Sequence, residues 1–312
     1  MPPLSIVFCG TPKFACPSLQ ALANDPAFKI THVITQPDKP TGRKQEMTAP
    51  PVKILAEKLG IPVLQPKDIN SQFSILQPSL KLRPAGNFQF RPDFLIAVAY
   101  GQILSQELLR WPKIAPINVH ASLLPHFRGA SPIHHAILAG EKDTGVTIQR
   151  MAEKLDTGPI LAQERVSIDP CETFITLHDK LSNLGASLLI ETLKKALKEI
   201  PQNETEATFC SKLTRERGVV DPKAMTAEEI DRHVRALVPW PGVRMSFSSS
   251  EPRGGESRSH DVKLLETSLT PHADALELSC ANGTTLFVLK MQSPGKNAMT
   301  GKEWGHGTGA HR

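Results

Sequence analysis

Short apolar runs alternate with helix-period stretches across residues 1–200, which limits this part of the chain to βαβ units around a mainly parallel sheet. Strands are expected at 4–9, 28–35, 61–64, 93–100 and 117–121, and again at 144–151 and 160–168. The run at 93–100 is almost continuously apolar, as a strand covered on both faces should be. Helices are expected from Phe14, over 51–59 and 131–139, and in one long amphipathic stretch over 173–199. The prolines and glycine of 36–44 argue against regular structure there. Residues 70–92 read as a helix followed by an irregular insertion, centred on 79–91.

Beyond residue 200 the texture changes. Pro201-Gln202-Asn203-Glu204-Thr205-Glu206 is polar and linker-like. Thr226 with Glu229 three residues on is a capping-box signature, opening a helix towards Val238. Strand-like pieces follow at 242–247 and 262–266, then a pair joined at Asn282-Gly283, a dipeptide suited to positive φ. The expectation is an α/β protein with a Rossmann-like N-terminal domain at 1–200, a linker at 201–207 and a smaller OB-like β-barrel at 208–312. A loop is expected at 248–260 and a frayed Gly/His-rich tail at 305–312.

The net charge of +5 admits a polyanionic partner, but no run of five basic residues requires one. No stretch reaches the roughly 20 apolar residues that span a bilayer, and the N-terminus lacks a basic n-region, so a cytoplasmic location without membrane contact is expected. The five cysteines form no C-x-x-C pair, so buried or inert thiols are expected, with neither a disulfide framework nor a zinc ribbon.

The densest polar cluster in an apolar setting is Ile117-Asn118-Val119-His120. Residues two apart on a strand share a face, about 6.6 Å apart at Cα, so Asn118 and His120 project together from a strand's carboxyl end. An amide donor there can hold a carbonyl oxygen as it becomes negative, and an imidazole can share that task or move a proton. Asp156, after the next strand, is placed to orient the imidazole. The three suit acyl transfer to a substrate amine, with no protein nucleophile. Buried structural roles for any one of them remain open at this point.

Two rival chemistries are weaker. His120, His126, His134 and His135 lie close in sequence, but without H-E-x-x-H spacing no metal site is expected. Gly10-Thr11-Pro12 follows a strand, yet lacks the G-x-G-x-x-G phosphate cradle. The loop around Lys39, Arg43 and Lys44 can meet phosphates or simply be solvated.

These motifs resemble those of the methionyl-tRNA formyltransferases. The likeness is carried by Gly10-Thr11-Pro12-Lys13-Phe14-Ala15, the Gln36-Pro37-Asp38-Lys39-Pro40 loop with Gly42-Arg43, and Asn118 through Pro125. It extends to Arg128-Gly129-Ala130-Ser131-Pro132-Ile133, Leu155-Asp156-Thr157-Gly158 and Pro239-Trp240-Pro241-Gly242, so it spans nearly the whole chain. The resemblance implies 10-formyltetrahydrofolate as donor, initiator methionyl-tRNA as acceptor, and catalytic roles for Asn118, His120 and Asp156. It also implies folate contacts at Ser122, Leu123, Leu124 and Pro125, tRNA contacts at Arg43 and from the C-terminal domain, no metal, and a monomer. The chain departs from the family pattern at Ala152-Glu153-Lys154, at Asp221-Pro222 and in the insertion at 79–91. Three alternatives are a formyltransferase for a small amine, a hydrolase releasing formate, and a non-catalytic RNA-binding relative.

Overall fold

A computed structural model of the chain describes residues 2–42, 44–73, 90–248 and 259–308. Arg43, the insertion up to residue 89, loop residues 249–258 and tail residues 309–312 lie outside the described residues. The chain forms two compact units. One comprises Met1–Gly129, Asp143–Val166 and His178–Phe209, the other Ala130–Lys142, Ser167–Leu177 and Cys210–Arg312.

In chain order, β1 (Leu4–Gly10), α1 (Cys16–Asn24), β2 (Phe28–Ile34), β3 (Lys39–Thr41) and β4 (Glu46–Thr48) come first. Next are α2 (Pro51–Lys58), β5 (Val63–Leu64), β6 (Phe94–Val98), α3 (Gln106–Leu109), β7 (Ala115–His120) and β8 (Arg128–Gly129). They are followed by α4 (Pro132–Ala139), β9 (Asp143–Arg150), β10 (Ile160–Ser167) and α5 (Phe174–Leu193). The main sheet runs β10-β9-β7-β6-β1-β2-β5. Pairing is parallel from β5 through β2, β1 and β6 to β7, and β9 turns antiparallel against β7. Consecutive residues of a strand face opposite sides. Ile6 to Cys9 on β1 and Leu95 and Ile96 on β6 are all fully buried, so both faces of the central strands are covered.

Two local readings differ from the sequence expectation. The segment expected to be irregular at 36–44 contains β3, which pairs with β4 as a two-stranded ribbon, Pro40 opposite Met47. Proline is tolerated because a ribbon offers edges where its missing N–H goes unneeded. The long helix stops at Leu193 instead of 199, because Ile200 pairs with Ile160 through two backbone hydrogen bonds of 2.8 and 2.9 Å. Pro201 favours that extended conformation in the residue before it. Cys171 is exposed, while Cys9, Cys210 and Cys280 are buried. Burial pushes the Cys9 thiol up to about 12.

The second unit holds an antiparallel sheet. After β11 (Phe209–Cys210) and α6 (Ala227–Leu237) come β12 (Val243–Ser248), β13 (Ser259–Ser268), β14 (Leu276–Ser279), β15 (Thr285–Gln292) and β16 (Met299–Thr300). The order is β12-β13-β15-β14, with β16 on β15. Thr226 and Glu229 cap α6 reciprocally, and Asn282 and Gly283 take positive φ between β14 and β15. A final helix, α7 (Gly301–Thr308), replaces the start of the expected frayed tail. Its start is fixed by Thr300 and Glu303, each accepting from the other's backbone N–H, and Trp304 is buried, donating to Ser293 Oγ at 3.0 Å. Among the described residues no helix is long and apolar enough to cross a membrane.

Candidate active site

The carboxyl end of β7 carries Asn118 and His120, next to the parallel strand β6 and opposite β9. The chain brings Asp156 to the same point from the β9–β10 connection. That connection is tightly specified. Arg150 N–H donates to Pro159 O at 3.0 Å, closing the loop at its base. A Cβ at Gly158 would lie 1.8 Å from Arg150 O, so no other residue fits there. Asp156 itself adopts φ of +54°, a left-handed conformation that Asp tolerates better than most residues. Replacing Gly158 by Ala is expected to cost about 2 kcal/mol of stability through backbone displacement. It should also lower turnover, read from a urea unfolding midpoint and a rate assay on the same preparation.

Asp156 Oδ1 accepts from Gln149 Nε2 at 3.0 Å and from Asn118 Nδ2 at 3.5 Å. Its Oδ2 accepts from the Gly129 backbone N–H at 2.9 Å and lies 3.7 Å from His120 Nδ1. The His120 and Asp156 side chains are 6% and 7% exposed, and Asn118 is only half-buried. The three expected residues are therefore brought together, with Asn118 the member open to an incoming group. His120 Nε2 meets Phe127 O at 3.0 Å. A carbonyl oxygen only accepts, so Nε2 carries a hydrogen, and Nδ1 is the nitrogen that faces the carboxylate.

The segment implied to touch folate is largely internal. Ser122 is fully buried, its hydroxyl donates to His126 O at 2.6 Å, and Leu124 and Pro125 are buried as well. Leu123 is the half-buried member. Thr147 Oγ1 ties this turn together, donating to Ser122 O at 2.7 Å and accepting from Leu124 N–H at 3.1 Å. Arg43, implied to contact tRNA, lies outside the described residues, but the segment leading to it is anchored at Asp38. Lys53 pairs with Asp38 at 2.8 Å, and Gln65 donates to the same carboxylate at 2.7 Å. The Gln65 hydrogen bond, followed by the Lys53 ammonium, holds the Asp38 carboxyl below the usual range.

Several residues of the site were given no role from the sequence. Gln149 and Thr147 lie on one face of β9, where alternation with Val146 and Ile148 reads as solvent-facing; both are buried. Arg128 is 2% exposed, and its guanidinium binds Glu204 bidentately at 2.8 and 2.9 Å and Gln202 Oε1 at 2.7 and 3.0 Å. Gln202 Nε2 in turn donates to Asp156 O and Gly158 O, at 2.8 and 2.7 Å. The sequence sign of this clamp was the place of Arg128 at the head of the Arg128–Ile133 motif, which names no partner for it. Among the described residues no group of three or more His, Cys, Asp or Glu is arranged to hold a metal ion.

The family model described as formyl transferase matches residues 4–193, and the model of the formyl transferase C-terminal domain matches residues 212–309. The chain belongs to the formyl transferase family. Relatives in this family include the methionyl-tRNA formyltransferase of Geobacillus sp. (strain WCH70), 42% identical over 99% of this chain and 96% of that protein. The methionyl-tRNA formyltransferase of Geobacillus thermodenitrificans is 41% identical over 98% of this chain and 95% of that one. Among solved formyl transferases, the fold is similar to WlaRD, a sugar 3N-formyl transferase crystallised with dTDP and 5-N-formyl-THF. That comparison gives a TM-score of 0.63 and 19% identity over 94% of this chain and 99% of WlaRD. It is also similar to the N-formyltransferase of Helicobacter canadensis in complex with folinic acid and dTDP-3-aminofucose. There the TM-score is 0.64, with 18% identity over 93% and 99% of the two chains.

Proposed function

We propose that this protein transfers the formyl group of 10-formyltetrahydrofolate to the amino group of methionine on initiator methionyl-tRNA. The observation that carries the reading is the convergence of Asn118, His120 and Asp156 at the carboxyl end of β7, in a chain of this family. The substrate is supported by full-length identity to relatives named methionyl-tRNA formyltransferase.

The donor set fits a formyl donor. Asn118 commits one amide hydrogen to Asp156 Oδ1 and has a second for an oxygen gaining negative charge. The folate supplies an electrophilic formyl carbon and a nitrogen that leaves it. One C–N bond forms to the methionyl amine, one breaks at the folate nitrogen, and the proton lost by the amine ends on that nitrogen. Asp156 holds the imidazole beside its Oδ2, and a water held there carries the proton from the amine to the departing folate nitrogen. The turn at Ser122, Leu123, Leu124 and Pro125 lines the folate site, through Leu123 and the backbone.

In this reading residues 1–200 are the catalytic domain, 201–207 the linker, and 208–312 a β-barrel that binds tRNA. The protein works as a monomer in the cytoplasm, without metal or membrane. Arg43 approaches the tRNA backbone, so Arg43→Ala should raise KM for Met-tRNA roughly tenfold with kcat nearly unchanged, and the shift should shrink at high salt.

The deciding experiment incubates the purified protein with 10-formyltetrahydrofolate and charged initiator tRNA and scores formylmethionine. Formate release without acceptor, or formylation of amino sugars but not Met-tRNA, would overturn the assignment.

A further inference from the structure

The polar residue most completely enclosed beside Asp156 is Gln149. It is 1% exposed and lies directly opposite Asn118 in the β7–β9 register. Its Nε2 makes the shortest side-chain contact to Asp156, 3.0 Å to Oδ1, against 3.5 Å for Asn118 Nδ2. Its Oε1 is buried with no hydrogen-bond partner among the described residues. Buried polar atoms normally find partners. A side chain of the same length without polar atoms, such as methionine, would fill this space with nothing unmet.

We propose that Gln149 is a positioning residue for formyl transfer, holding the Asp156 carboxylate so that one oxygen serves Asn118 and the other serves His120. This role rests on the function proposed above. A carboxylate can turn about its Cβ–Cγ bond. Gly129 N–H fixes Oδ2, but Oδ1 without Gln149 keeps only the long contact from Asn118. Rotation would then carry Oδ2 away from His120 Nδ1 and release the Asn118 amide. The effect belongs to alignment of the reacting groups, where a displacement of about 1 Å can cost about 10²-fold in rate.

The test uses two variants of the full chain. Gln149→Met should lower kcat about 10²-fold, with KM for both substrates within about twofold of wild type and an unchanged melting temperature. Gln149→Glu places a second carboxyl beside Asp156 Oδ1. When that carboxyl carries a proton it can donate as the amide does; once both are ionised they repel. Its rate should therefore be best preserved at the acid end and fall as pH rises, a limb the wild type lacks. His120 is the other titratable side chain facing Asp156, and both proteins share it.

A Gln149→Met enzyme within twofold of wild-type kcat would remove the role. So would a Gln149→Glu profile parallel to that of the wild type, which would mark the first loss as merely structural. A crystal structure of Gln149→Met gives a readout independent of turnover: the Asp156 carboxyl should be rotated, and an unmoved carboxyl would overturn the proposal even if the wild type formylated no tRNA. Wild-type turnover measured alongside separates the two failures. No formylation by the wild type removes the assigned function, whereas normal wild-type turnover with an unaffected variant removes only the positioning role.

Discussion

Asp156→Asn is expected to lower kcat by about 10³- to 10⁴-fold while the affinities for Met-tRNA and formyl-folate stay within about threefold. The substitution changes almost no volume, so the loss must come from hydrogen bonding and charge. Both carboxylate oxygens face donors: Gln149 Nε2 and Asn118 Nδ2 at Oδ1, and the Gly129 N–H at Oδ2. A carboxamide has one acceptor and one donor end, so in either orientation its NH₂ confronts another donor. A proton passing to His120 Nδ1 would also lose its anionic neighbour. A rate loss of that size is about 4–5.5 kcal/mol of barrier. Single-turnover formylation with equilibrium binding of each substrate would check it. Comparable losses in binding and turnover would show that Asp156 builds the pocket instead of serving the reaction.

Asn118→Ala should cost about 10²- to 10³-fold in kcat, in line with the removal of one donor to a developing oxyanion. The residue is half-buried, so truncation admits water instead of leaving a sealed void. The fold should tolerate the change, because β7 is held by backbone pairing to β6 and β9 on either side. Substrate KM should move little, since the contact strengthens only as charge builds up on the oxygen. The Asn118→Asp variant separates donor from shape. It keeps the size but offers no N–H and sets a second negative charge against Asp156, so it should be at least as impaired as Asn118→Ala. An Asn118→Asp enzyme near wild-type rate would sink the oxyanion role.

The parallel core was legible because Ile6 to Cys9 on β1 and all of β6 are apolar without interruption, a pattern produced by burial on both faces. Asn118 and His120 were legible because polar side chains in such a run are costly without a task, and their spacing put them on one face. Gln149 escaped for the opposite reason. On β9 it continues a regular polar/apolar alternation, and only the antiparallel register against β7 turns that polar face inward to Asp156. Arg128 and Gln202 escaped because they meet across 74 residues, a separation that no local pattern reports. The β3–β4 ribbon was hidden by Pro40 and by Pro37 and Gly42 beside it, and α7 by glycines that lower helix propensity. In α7 the overlooked signal was Thr300 with Glu303, the same capping pattern that announced α6.

The Arg128 clamp decides where this protein can be cut. The N-terminal family match ends at residue 193, which makes that point an inviting terminus for a free-standing catalytic fragment. Such a fragment would lack Gln202 and Glu204, the acceptors of a guanidinium that is 2% exposed. Stranding a buried cation typically costs about 3–5 kcal/mol, a large part of the ~5–15 kcal/mol that holds an ordinary domain together. Gln202 would also release the carbonyls of Asp156 and Gly158, so whatever folded would have a slack reaction centre. A cut placed beyond Glu204 keeps both acceptors with the guanidinium.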